Sequence, residues 1–208
     1  MEKIQNQNEQ IEVRLGVSGL SVEQREGASG RTISGYAARF DSWSDPIYGW
    51  FKEKIARGAF DGCDMADVIM VFNHDIGGVL ARSTSGTLKL SVDEQGLRFE
   101  FDAPNTQLGN DMVELVSRGD ISKCSFKFTV SKDEWVYADE KNGLKYDERT
   151  ITGIGKLYDV SLVTYPAYPD TSASVREALE QRKREFTAPA RIDTSDRDRA
   201  VAFLKLKH

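Results

Sequence analysis

The chain has 208 residues, with 28 Lys/Arg against 33 Asp/Glu, a net charge of -5, two Cys and two His. This is an ordinary balance for a soluble chain with one core or two small ones, and no apolar run approaches the ~20 residues that span a bilayer. Two Cys make no disulfide framework and imply a reducing compartment, and two His with two Cys give no basis for a metal site or a cofactor.

Residues 1–10 read as a polar arm without the apolar core of a signal peptide. Residues 11–17 alternate Ile11, Val13, Leu15 and Val17 with polar positions or Gly, the period of a half-buried strand. A turn at residues 27–30 leads to a second strand over 32–40, so the opening reads as a long hairpin. Residues 43–50 hold Asp45-Pro46 and Gly49 and read as a loop, its two Trp and Tyr48 acting as a lid on the core. A short helix is expected over 51–60. Residues 67–74 contain Val68-Ile69-Met70-Val71-Phe72, apolar on both faces, which predicts an interior strand. His74 then meets Asp75-Ile76-Gly77-Gly78, read as the start of a loop.

Strands at 88–92 and 97–101 flank Asp93-Glu94-Gln95-Gly96, a hairpin signal. Residues 106–118 carry Leu108, Met112, Leu115 and Val116 at helical spacing, and Gly119 suits a C-cap. Further strands are expected at 122–130, 134–137, around 150–154 and at 157–164. Residues 165–169 close the strand-rich body. A helix over 174–186, a polar linker over 187–198 and a short amphipathic segment over 200–207 follow. The predicted fold is α+β, a mainly antiparallel β-barrel decorated by two or three helices. Its domains are an arm (1–10), a barrel (11–175) and a C-terminal helix and tail (176–208).

Charge divides along the same lines. Residues 176–208 hold nine Lys/Arg and six Asp/Glu, so the remainder is acidic. An acidic body lacks the basic face of a nucleic-acid-binding domain.

His208 is terminal, so His74 is the one internal histidine. A general base needs a nucleophile and an orienting group. Lys123-Cys124-Ser125-Phe126-Lys127-Phe128 offers two nucleophiles, which strand parity separates. Cys124 shares a face with Phe126 and Phe128 and belongs to the core. Ser125 shares the polar face with Lys127 and Thr129. In 157–164, Asp159 and Ser161 lie opposite Val160 and Leu162, and an Asp within a strand is unfavourable unless something needs it. A structural His, a solvent-facing Ser and an edge-strand Asp remain open readings at this point. Neither a GxSxG elbow, a phosphate-binding loop nor an HExxH motif occurs.

Five segments resemble, in order, the prohead (capsid maturation) proteases of tailed bacteriophages. They are Gly35-Tyr36-Ala37-Ala38-Arg39-Phe40-Asp41, Glu53-Lys54-Ile55-Ala56-Arg57-Gly58-Ala59-Phe60, Asn73-His74-Asp75, Arg118-Gly119-Asp120 through Phe128, and Asp159-Val160-Ser161-Leu162-Val163-Thr164 with Pro166-Ala167. The resemblance implies a serine endopeptidase with a fold similar to the herpesvirus assembly proteases. It makes Ser125 the nucleophile, His74 the general base and Asp159 the acidic third member, where the family often has Glu. Lys127 stands where the family's serine motif often has Gly. Arg149 is a candidate for the oxyanion site.

The implied substrates and partners are the phage major capsid protein and a scaffolding protein or scaffold segment, with a homodimer as a further assembly. The implied place of action is the assembling prohead in the host cytoplasm, with no membrane and no nucleic acid as partner. The implied chemistry includes self-cleavage, with 187–198 as the processing region and 200–208 as a docking segment. Two alternatives are a non-enzymatic, protease-like scaffold or capsid-assembly protein, and a cysteine protease using Cys124.

Overall fold

The structure is a computed structural model that describes residues 10–16, 19–23, 31–139, 141 and 143–164. They belong to one unit, Met1–Pro169, of the two into which the chain divides. The turn at 27–30, the segment 165–169, the helix over 174–186, the linker and the last amphipathic segment lie outside the described residues.

Ten strands and one helix are described. They are β1 (Ile11–Gly16), β2 (Ser21–Glu23), β3 (Thr32–Arg39), β4 (Phe51–Ile55), β5 (Ile69–Phe72), β6 (Asp75–Arg82), β7 (Leu88–Val92), β8 (Gly96–Asp102), α1 (Gln107–Arg118), β9 (Lys123–Val136) and β10 (Asp147–Val163). They form two sheets in place of the closed barrel. One sheet runs β1-β9-β10-β5-β6, with β4 also paired to β10, and the other runs β2-β3-β8-β7. One hydrophobic core joins them, with Ile33, Leu97, Phe99 and Phe101 from the smaller sheet and Met70, Phe126, Phe128, Leu157 and Val160 from the larger. The fold is mixed α+β, mostly strand, with one helix among the described residues.

β1 and β3 do not form a hairpin. β1 pairs with β9, whereas β3 pairs with β2 and β8. Two alternating runs joined by a turn carry no information on which partner each takes. The two strands instead meet face to face, and a Cβ on Gly16 would stand 2.2 Å from the Ala37 carbonyl oxygen.

The expected helix at 51–60 is strand β4. Phe51, Glu53 and Ile55 are buried and Lys52 and Lys54 are not, a period of two that a buried carboxylate disguises. The four strands expected between 122 and 164 are two long ones. β10 takes β9 along one edge and, end to end along the other, β4 and β5 in parallel. β5 is an interior strand, as expected. The 88–101 hairpin forms as read. α1 also matches: Thr106 caps it by accepting from the Gly109 N–H at 3.1 Å, and Gly119 closes it at φ 82°. Trp43 and Trp50 in the 43–50 loop keep about two-fifths of their surface exposed.

Within the large sheet, buried charges tie β1 to β4, β9 and β10. Arg14 pairs with Glu12 and, at 2.7 Å, with Glu53. Arg149 reaches Glu12 (2.7 Å), Glu53 (2.8 Å) and Asp133 (2.8 Å). Burial alone would raise the Glu12 carboxyl, but Arg14 and Arg149 outweigh it and hold it below its ordinary 4.5. A carboxyl depressed in the folded state contributes stability above its unfolded value and loses it as pH falls through the folded one. The denaturation midpoint should therefore drop as pH falls below 4.5, and Glu12→Gln should flatten that drop. Denaturant titrations of both chains between pH 7 and pH 3 check this.

Candidate active site

The larger sheet brings His74, Ser125 and Asp159 together. β5 and β6 are joined by the two residues Asn73 and His74, at φ 50° and 58°, with Phe72 facing Asp75 across the turn. Two positive φ values in a two-residue hairpin define a type I′ turn, and Asn and His tolerate that region better than most residues. The expected loop at Asp75–Gly78 is the start of β6 instead. The tight turn carries the imidazole back over β10.

Asp159 reaches the same face because of an irregularity in β10. The β9–β10 register shifts between Leu157 and Asp159. Leu157, Val160 and Leu162 all point into the core, which leaves Asp159 and Ser161 on the other face. A bulge beside a reactive group is a recurrent way of aiming side chains. Ser125 faces Ser161 across the β9–β10 pair and Leu15 across the β1–β9 pair.

A continuous hydrogen-bonded chain results. His74 Nδ1 lies 2.7 Å from Asp159 Oδ1, and His74 Nε2 lies 2.8 Å from Ser125 Oγ. A carboxylate only accepts, so Nδ1 carries the ring proton and Nε2 presents its lone pair to the serine hydroxyl. Ser125 Oγ also lies 2.8 Å from the Arg14 carbonyl oxygen on β1. One hydroxyl proton serves one acceptor at a time, so rotation about the Cβ–Oγ bond moves it between Arg14 and His74. Parity separates Cys124 from Ser125 as read, but the Ser125 face is not solvent-facing. Ser125 is 0% exposed and Asp159 3%.

Arg149 is salt-bridged, and it stands elsewhere. Its guanidinium is taken up by Glu12, Glu53 and Asp133 and lies over the Trp135 ring at 5.5 Å. Glu12 and Arg14 sit opposite Phe128 and Phe126 and leave the sheet on the side away from Ser125. Burial alone would make Arg149 easier to deprotonate, but the surrounding carboxylates prevail and its charge is held more firmly than usual. Sequence reasoning missed three contributors: the Arg14 carbonyl, Asn73, and Ser161 as a partner of the His74 turn. The Asn-His pair between two strands was the available signal for the last two.

A family model described as caudovirus prohead serine protease matches residues 18–185, most of the chain. The chain belongs to the caudovirus prohead serine protease family. No curated protein and no solved structure matched. His74, Ser125 and Asp159 all fall inside the matched span, and β1 lies before it.

Among prohead serine proteases the hydroxyl is the expected nucleophile, and the neighbouring thiol is poorly suited to the work. Burial pushes Cys124 up to about 12, so it stays protonated, and its Sγ donates to the Tyr36 carbonyl oxygen inside the core. Cys124→Ala should leave proteolytic turnover within about twofold of wild type while costing roughly 1–2 kcal/mol of stability from a buried gap. Parallel turnover and denaturation measurements on the purified variant check both.

Proposed function

We propose that this chain is a serine endopeptidase that cuts the scaffold, or the scaffold segment of the capsid protein, as a phage prohead matures. The observation that carries the reading is the unbroken hydrogen-bonded chain from Ser125 through His74 to Asp159, in a member of the prohead serine protease family.

The chemistry is acyl transfer. His74 Nε2 takes the Ser125 proton as Oγ attacks the scissile carbonyl, and Asp159 holds the Nδ1 proton and stabilises the imidazolium that forms. The imidazolium returns its proton to the leaving amine. A water, deprotonated by His74 in turn, then releases the acyl group and restores the serine. A fully buried Oγ meets no peptide, so the site must open before substrate enters. The Ser125 hydroxyl, 2.8 Å from both the Arg14 carbonyl oxygen and His74 Nε2, then commits its proton to His74.

In this reading residues 11–175 are the protease domain and 176–208 a separate tail. The partners are the major capsid protein and its scaffold, met inside the assembling prohead in the host cell, with a homodimer as a further assembly. Self-cleavage within 187–198 and docking through 200–208 complete the reading.

Co-expression with the capsid and scaffold proteins tests it, read by mass spectrometry of the resulting particles. Wild type should shorten a partner at defined positions and His74→Ala should leave it whole. Partners left whole by wild type in assembled proheads would remove the substrate assignment. An unchanged C-terminus of the chain itself would remove self-cleavage.

A further inference from the structure

We propose that Ser161 is a positioning residue for His74: its buried hydroxyl fixes the backbone of the tight turn from which the imidazole reaches Ser125. The proposal rests on the reading of His74 as the general base.

Ser161 is 0% exposed. Its Oγ accepts from the His74 backbone N–H at 2.8 Å, and its one proton has the carbonyl oxygens of Val71 at 3.3 Å and Leu162 at 3.4 Å within reach. A buried hydroxyl needs its partners, and here they are the backbone N–H of the residue that touches the nucleophile and carbonyls of the strand leading into it and of β10 itself. Asp159 stands two residues before Ser161 on the same face of β10 and holds the His74 ring at Nδ1. One strand face therefore grips His74 at two points, backbone and ring.

The second grip matters because the turn is one that L-residues adopt rarely. Both Asn73 and His74 have positive φ. The Asn73 N–H donates to the Leu162 carbonyl oxygen at 2.9 Å, and Asn73 Oδ1 accepts from the Thr164 N–H at 3.1 Å. Asn73 is thus tied to β10 independently of Ser161, so the turn can survive without that hydroxyl. Among the described residues the His74 amide shows no such second partner: its bond to Ser161 sets the direction from which the ring leaves the backbone. Without it the imidazole pivots on its Asp159 bond, and Nε2 leaves the line to Ser125 Oγ.

The test uses the full chain and two readouts. A serine-directed fluorophosphonate measures the rate at which Ser125 is covalently modified, with no need for a known cleavage site. The low-field proton signal of His74 Nδ1–H, identified by its loss in His74→Gln, reports the ring itself. Folded Ser161→Ala should be modified about 10- to 100-fold more slowly than wild type, the scale of an ångström-sized misplacement, with the low-field signal shifted or broadened. Ser161→Thr, which keeps the hydroxyl, should restore both readouts.

Modification of folded Ser161→Ala at the wild-type rate with an unchanged signal would overturn the proposal. So would equal slowing in the Ala and Thr variants with the signal intact, since that is the mark of packing alone. If the alanine chain does not fold, Ser161→Cys answers the same question, because a thiol fills the space and accepts poorly; wild-type behaviour there overturns the proposal. Failure of wild type to react at Ser125 would count against the nucleophile assignment, whereas the proton signal reads the role of Ser161 independently.

Discussion

Ser125→Ala is expected to fold like wild type and to lower turnover by about 10⁴- to 10⁶-fold, the range seen when a nucleophile that acts as one unit with its base is removed. The fold should survive because Ser125 contributes one hydroxyl to a strand whose packing comes from Cys124, Phe126 and Phe128 on the other face. Among the described residues its Oγ has two hydrogen-bonding neighbours, His74 Nε2 and the Arg14 carbonyl oxygen. The carbonyl keeps its second lone pair, and the imidazole keeps Asp159. The stability change should stay near 1 kcal/mol, the net worth of a typical hydrogen bond. Asp159→Asn should be milder in structure and still severe in rate. The amide fills the same space but can offer N–H to Nδ1, which favours the tautomer with its proton on Nε2, where the serine proton must go. Steady-state cleavage of the capsid or scaffold partner, beside a denaturation curve for each variant, measures both quantities.

Arg149→Ala is expected to have the reverse profile, with a loss of about 3–5 kcal/mol in stability and little change in turnover per folded molecule. Arg149 is 6% exposed, and its removal leaves Glu12, Glu53 and Asp133 without their shared cation. Arg14 still reaches Glu12 and Glu53, so the loss is concentrated where β9 and β10 meet β4. The reduced compensation of three closely packed carboxylates is the expensive part, more than the attraction that was removed, although Arg14 stays on Glu12 and Glu53 and the Trp135 indole N–H on Asp133. The opposite result is equally readable. A variant of wild-type stability whose turnover falls by about 10²–10³-fold would mark Arg149 as an oxyanion donor after all. Guanidinium midpoints and turnover corrected for the folded fraction separate the outcomes.

Strand parity carried the site. The sequence alone puts Cys124 and Ser125 on opposite faces of one strand, and Asp159 on the face opposite Val160 and Leu162, because alternation in a strand is strict over short runs. It does not show that the polar faces of β9 and β10 meet and are covered, since pairing between distant strands leaves no local trace. The same gap explains β1. It is a strand as expected, but Ile11 and Leu15 are exposed, and Glu12 and Arg14 take the face shared with Phe126 and Phe128, because a buried arginine of β10 and a buried carboxylate of β4 pair with them there. Glu53 misled for a different reason. A carboxylate at a buried position makes a strand look helical, and only its two arginine partners, one 39 and one 96 residues away, account for it. The Asn73-His74 turn was legible in principle from two residues that tolerate positive φ. Its meaning came from the contact with Ser161, 87 positions on.

The most direct measurement is peptide mapping by mass spectrometry after brief exposure of the full chain to a fluorophosphonate. The account predicts a single adduct on Ser125, lost in Ser125→Ala and strongly slowed in His74→Ala. An adduct on another residue, or equal modification of Ser125 with and without His74, would contradict it.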